Sequence, residues 1–276
     1  MSNKTTRVRD KFWLFASRAH DDDIFLSKCN DKKWLRSRIT PAEGCQILGL
    51  SNVIMIESDG IPVPFSHDAY GYMESFYRMD KVWWSIKGSA GFRNGNEEEF
   101  ICHLAENYPN VCGAFFDDFL IEFDKIERFS EEYITEMFQD TRKRLDKACR
   151  PIELWATCYI DDVKKFSPKM YEPLDGITIW NLDTDSIIDM EEEFELYEEL
   201  LPQKKKMLGI YIYDYRQGKP VSEEYMEMQC ETGLKWLKEG KIEGMIFLTN
   251  CVMGVGLSSE YWLRDWIDRV GDGILS

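Results

Sequence analysis

Carboxylates stand immediately after short apolar runs at several places in this chain, a spacing that suits acid/base chemistry. Glu57 follows Val53–Ile56, Asp117 and Asp118 follow Cys112–Phe116, Asp161 and Asp162 follow Leu154–Tyr159, and Asp214 follows a run over Met207–Tyr213. Other polar or aromatic groups fall at equivalent points: Lys87 after Val82–Ile86, Trp180 and Asn181 closing Gly176–Trp180 with Asp183 beyond, and Thr249 and Asn250 after Gly244–Leu248. The first run, Phe12–Ala16, leads to Arg18, His20 and the triplet Asp21 to Asp23. Paired carboxyls, one kept protonated and one ionised, are what glycosidic-bond cleavage requires, and crowding of acids is one way to separate their pKa values.

The elements that position these groups follow from the apolar pattern. Eight runs, short and mostly rich in β-formers, recur at about 33-residue intervals, the spacing of strand, loop and helix. The intervals carry helix-start signals. Thr40-Pro41-Ala42-Glu43 is a capping box with proline at the first helical position. Ser130 and Ser222 precede apolar positions three and four apart, and Ser258 opens a last segment with Trp262, Trp266 and Ile267 on one face. Alternating β and α elements with right-handed crossovers predict an α/β chain built as a single (β/α)8 TIM barrel over 1–276, close to the ~250 residues typical of that fold. Active sites in this fold gather at the C-terminal ends of the strands, where the carboxylates lie.

Strand alternation selects side chains for the mouth. Strand 7 offers Tyr211 and Tyr213, strand 5 Thr157, Tyr159 and Asp161, and strand 3 Ser85 and Lys87, whereas strand 4 leaves Asp117 and Asp118 as alternatives. Acids and aromatics together suit a carbohydrate, whose ring faces stack on aromatic rings and whose hydroxyls bond to Asp, Asn, Tyr and Lys. The expected catalytic set is Asp117 or Asp118 with Asp214 as partner, and Glu57 and Asp161 in reserve. Tyr213, Trp180, Asn250, Lys87 and Asp161 are the expected substrate contacts.

Family resemblance points the same way. Gly113-Ala114-Phe115-Phe116-Asp117-Asp118-Phe119 looks like the carboxylate-bearing fourth strand of many glycoside hydrolase barrels. Ile39 to Gly44, Tyr211 to Tyr215 and Glu243 to Leu248 resemble an uncharacterised bacterial group of glycoside-hydrolase-like (β/α)8 proteins, over most of the chain. The resemblance implies a barrel and carbohydrate chemistry but no particular reaction. Strand 4 lacks the Asn-Glu pair of the large retaining clan, and the chitinase DxxDxDxE signature is absent.

Other chemistries use the same residues. The acids can hold magnesium or manganese, as in sugar isomerases and lyases. Lys87 can form a Schiff base if its pKa is depressed. A barrel can also bind sugar without turning it over. The three histidines have no metal-ligand spacing, so no zinc site and no cofactor is expected.

Composition sets the remaining expectations. A net charge of −16 disfavours nucleic acid and anionic membrane surfaces as partners. No run approaches the ~20 residues of a membrane span, and the polar, basic start is unlike a signal sequence, so a cytoplasmic location is expected. Eight cysteines, including Cys29, without a CxxC pair read as reduced thiols. The charge runs Glu191 to Glu193 and Lys204 to Lys206 read as solvated surface. Oligomeric state leaves no mark in the sequence.

Overall fold

A computed structural model describes residues 5–28, 36–121, 129–181 and 184–275. Cys29 and Asp183 lie outside these residues. Eight parallel strands form a closed barrel: β1 (Phe12–Ala16), β2 (Asn52–Met55), β3 (Lys81–Lys87), β4 (Val111–Phe116), β5 (Glu153–Cys158), β6 (Gly176–Trp180), β7 (Lys205–Tyr211) and β8 (Gly244–Leu248). Their order is β1-β8-β7-β6-β5-β4-β3-β2, the single (β/α)8 barrel expected from the repeat of strand signals. Most strand residues are buried, as they must be in a parallel sheet covered on both faces.

The helices form where the start signals stand. Helix α1 (Pro41–Leu48) has its capping box, Glu43 accepting from the Thr40 amide at 2.9 Å and the Thr40 hydroxyl accepting from the Glu43 amide at 3.4 Å. Helix α2 spans His67–Ser75, α3 Glu97–Asn107, α4 Glu131–Leu145, α5 Met190–Leu200, α6 Glu223–Lys238 and α7 Ser258–Val270. Ser130 caps α4 and Ser222 caps α6 by accepting from the third amide of each helix. Ser258 is instead the first residue of α7, whose cap position is Leu257. Between β5 and β6 the chain makes only short turns, Ile160–Val163 and the 3-10 turn Pro168–Tyr171.

Two compact units divide the chain: Met1–Val53 with Asn181–Met190 and Lys206–Ser276, and Ile54–Trp180 with Glu191–Lys205. In the first, β1 pairs with β8 (Phe12 opposite Met245) and β8 with β7 (Gly244 opposite Met207). Strand β7 ends at Tyr211, two residues short of the expected end. Tyr213–Asp214 instead pairs antiparallel with Lys219–Pro220 in a hairpin, because the Asp214 side chain accepts from the Gln217 amide at 2.8 Å and starts a turn there. Lys206, expected on the surface, is buried in β7 at 2% exposure.

In the second unit, size complementarity sets the packing across β3 to β6. Trp83 stands opposite Gly113 and Trp155 opposite Gly176. A Cβ on either glycine would lie within 2.4 Å of the facing indole. The two indoles then stack at 4.9 Å, filling one layer with two large side chains and two absent ones.

Candidate active site

The second unit gathers five of the predicted residues at the ends of β2 to β5: Lys87 ends β3, and Glu57, Asp117, Asp118 and Asp161 lie just beyond β2, β4 and β5, while Trp180 ends β6. Asp117 continues the alternation of Phe115 and lies on the face of the sheet that carries Thr157. The Thr157 hydroxyl donates to its Oδ1 at 3.1 Å, and the Ser89 hydroxyl donates to its Oδ2 at 3.1 Å. Burial, and then the Asp118 carboxylate, push the Asp117 carboxyl up to about 8 against the pull of those hydroxyls.

Asp118 leaves the strand alternation. Its φ of +31° turns the chain, and its Oδ2 accepts from the Ala90 amide at 2.7 Å. Burial raises its proton affinity as well, opposed by that amide and by Lys87. Two adjacent carboxyls that both resist ionisation titrate as a pair and hold a proton near neutrality. Lys87 is buried, with its ammonium 4.4 Å from the centre of the Phe129 ring.

A cavity of about 150 Å³ opens beside Asp118, lined by Phe119, Leu120, Ile121, Thr157, Tyr159 and Asp162. Its wall is part apolar and part acidic. Asp162, buried and 3.6 Å from the Lys165 ammonium, lines it, whereas Asp161 is exposed on the first turn after β5. Trp180 is buried at 4% exposure and donates its indole N–H to Thr178 at 2.8 Å.

Glu57 sits beneath the loop after β3. Its Oε1 accepts from the Trp84 indole at 3.2 Å and its Oε2 from the Asn94 amide at 3.2 Å. Burial, then the nearby Glu97 charge, push Glu57 up to about 8. Glu97 is itself buried and accepts from the backbone amides of Asn94 and Gly95. Glu57 thus anchors the 88–95 loop that delivers the Ser89 hydroxyl and the Ala90 amide to the β4 carboxyls.

Three predicted residues belong to the first unit, and local bonds account for each. Asp214 starts the hairpin turn described above. The Tyr213 hydroxyl donates to the Phe25 carbonyl at 2.9 Å. Asn250 donates to the Ser17 and Ile39 carbonyls at 2.9 and 2.8 Å and accepts from the Ser17 amide and the Thr249 hydroxyl, which uses its whole amide capacity. Nearby, Asp22 accepts from the Tyr215 hydroxyl at 2.7 Å, and burial raises its carboxyl to about 6.

Ser89 and the Ala90 amide are site groups that sequence reasoning passed over, and Asp162, noted at the end of its apolar run, was not among the residues expected to act. Asp162 had its signal in the pair Asp161-Asp162; the two loop donors act from irregular backbone and had none. Among the described residues, no group of three or more His, Cys, Asp or Glu side chains is arranged to hold a metal ion.

No protein-family model matches the chain, and no curated protein does. In three dimensions it is similar to the α-L-arabinofuranosidase of Thermotoga maritima in its arabinose complex. The TM-score is 0.62 at 11% identity, over 95% of this chain and 71% of that one. It is similar to the PgaB glycoside hydrolase domain of Bordetella bronchiseptica, with TM-score 0.52 at 11% identity over 92% and 98%. It also resembles 2,3-dimethylmalate lyase, of the PEP mutase/isocitrate lyase superfamily, with TM-score 0.51 at 12% identity over 95% and 84%. The likeness is one of fold. Glycoside hydrolases are among the barrels that share it, as are lyases of that superfamily.

Proposed function

We propose that this chain is a glycoside hydrolase-like enzyme that cleaves a glycosidic bond at the C-terminal ends of β3 to β5. The observation that carries the reading is the Asp117–Asp118 pair, which holds a proton near neutral pH beside a cavity with an apolar wall. Asp118 faces that cavity and delivers the proton to the departing glycosidic oxygen. Asp117, behind it and held by Ser89 and Thr157, sets the proton affinity of the pair. Asp162 lines the same cavity and is the second carboxyl, acting as nucleophile or base in the place first given to Asp214. Phe119, Leu120 and Tyr159 take the apolar face of one sugar ring, a fit to a volume of about 150 Å³. Lys87 supports the ionised form of Asp118. Glu57 anchors the loop after β3, and Trp180 is fixed by its bond to Thr178.

The sugar-processing barrels that share the fold support this choice of substrate, and the lyase among them supports the alternative of lyase chemistry, for which the acids would hold a divalent ion. Product release from a panel of aryl glycosides and oligosaccharides, with and without chelator, separates the two. Cleavage that resists chelation and falls by about 10²–10⁴ in Asp118→Asn and Asp162→Asn is expected for acid/base hydrolysis. Activity abolished by chelator and restored by magnesium or manganese would transfer the acids to metal binding. Saturable sugar binding without product would leave a binding protein.

A further inference from the structure

Helices α3 and α4 border two cavities on the second unit, of about 310 and 510 Å³, both lined by Gly95, Glu98 and Arg144. These volumes fall in the range of ligand sites and exceed that of the cavity beside Asp118. Glu98 is the fixed point between them. It is buried at 1% exposure, its Oε1 accepts from the Arg93 guanidinium and from the Thr141 hydroxyl at 2.9 Å, and its Oε2 lies 4.0 Å from the Arg144 guanidinium with no hydrogen bond. One carboxylate therefore holds Arg93 and leaves an oxygen turned toward Arg144. Arg93, then the Thr141 hydroxyl, keep it ionised against its burial, so its proton affinity is lowered.

Charge in the smaller cavity is mixed, two guanidiniums against three carboxylates. Arg93 and Arg144 face Glu98, Glu136 and Asp140, giving donors and acceptors side by side rather than a field of one sign. Tyr133 supplies the one aromatic wall. One face of its ring stacks on Phe129 at 4.3 Å, and half of the residue remains exposed. A planar aromatic platform, flanked by guanidinium and carboxylate groups, matches a ligand whose every polar group both donates and accepts and whose ring has an apolar face. An inorganic anion would meet three carboxylates, and an amine would meet two guanidiniums. A neutral sugar satisfies both kinds of wall.

We infer that the α3–α4 groove is a second saccharide-binding site, separate from the cavity beside Asp118. It takes a neutral oligosaccharide, one ring of which stacks on Tyr133 while its hydroxyls bond to Arg93, Arg144 and Asp140. The inference does not depend on the catalytic role given to the β4 carboxyls.

Titration calorimetry and saturation-transfer NMR on the full chain carrying Asp118→Asn test it, with cellotriose, chitotriose and arabinotriose as neutral probes and trigalacturonate as the charged one. At least one neutral trisaccharide is expected to bind. Tyr133→Ala is expected to weaken it by about tenfold, and Arg144→Ala, at a more exposed side chain, by a similar factor. Binding unchanged in both variants, no binding by any neutral probe, or binding of trigalacturonate alone each overturns the assignment. Loss of hydrolysis in Asp118→Asn with trisaccharide binding retained would leave both readings standing. Retained binding with no hydrolysis in the wild-type chain would sink only the catalytic one.

Discussion

Glu57 and Asp117 each keep a proton that an ordinary carboxyl would release, and for both the first cause is burial. For Glu57 the consequence reaches stability. Its folded-state value of about 8 lies above the 4.5 of an unperturbed glutamate, so between the two the folded chain holds a proton that the unfolded chain has lost. Its contribution is therefore full below about 4.5 and is lost as the pH rises through about 8. Glu57→Gln removes this linkage. The melting temperature of the variant minus that of the wild type is expected to climb between pH 5 and pH 9, whatever its offset, and a flat difference would show that Glu57 carries no proton across that interval. Choosing between Asp117 and Asp118 was beyond the sequence for a related reason. Alternation alone would place one of them toward Thr157, but which one depends on where the strand ends, and the positive φ of Asp118 is what ends it.

The loop after β3 shows how one element governs the groups of another. Glu57, at the end of β2, holds Asn94, and the loop in between presents Ser89 and Ala90 to the carboxyls of β4. The approach at its start is close. A Cβ at Gly88 would stand 1.6 Å from the Glu57 carbonyl oxygen, so only glycine fits between these two backbones. Gly88→Ala is expected to cost up to about 3 kcal/mol of stability as the loop is pushed away. Because the displaced loop carries the Ser89 and Ala90 donors, turnover should fall even at temperatures where circular dichroism shows the variant folded. A variant as active as the wild type would separate the loop from the site. Sequence patterns caught the elements themselves well: one capping box and two serine caps gave α1, α4 and α6, and β6 and β8 have the expected ends. They ran two residues too far in β7, since Tyr211-Ile212-Tyr213 keeps the alternation of a strand and only the Asp214 side chain, bonded to Gln217, stops it.

At the scale of the whole chain, the barrel was legible because eight apolar runs repeat with helix-length intervals, a signal no single run carries. The distribution of charge was less so. Lys206 belongs to a run that reads as surface yet is buried at the start of β7, because a strand of a closed barrel has no solvent face. The total charge is a firmer quantity. Fifty acidic residues against thirty-four basic ones leave −16 on the 276-residue chain, and like charges at that density repel one another in the compact state more than in the expanded one. Screening should therefore stabilise the fold. The Debye length falls from about 30 Å at 0.01 M salt to about 8 Å at 0.15 M, so most of the effect belongs to that interval. The melting temperature at pH 7 is expected to rise with sodium chloride up to roughly 0.15 M and then level off. An equal osmolality of sucrose serves as the control, since it acts by exclusion from the surface and has no such plateau. A melting temperature that falls with salt over the same interval would mean that the ion pairs of this chain, Arg93 with Glu98 and Arg18 with Asp21 among them, outweigh its net repulsion.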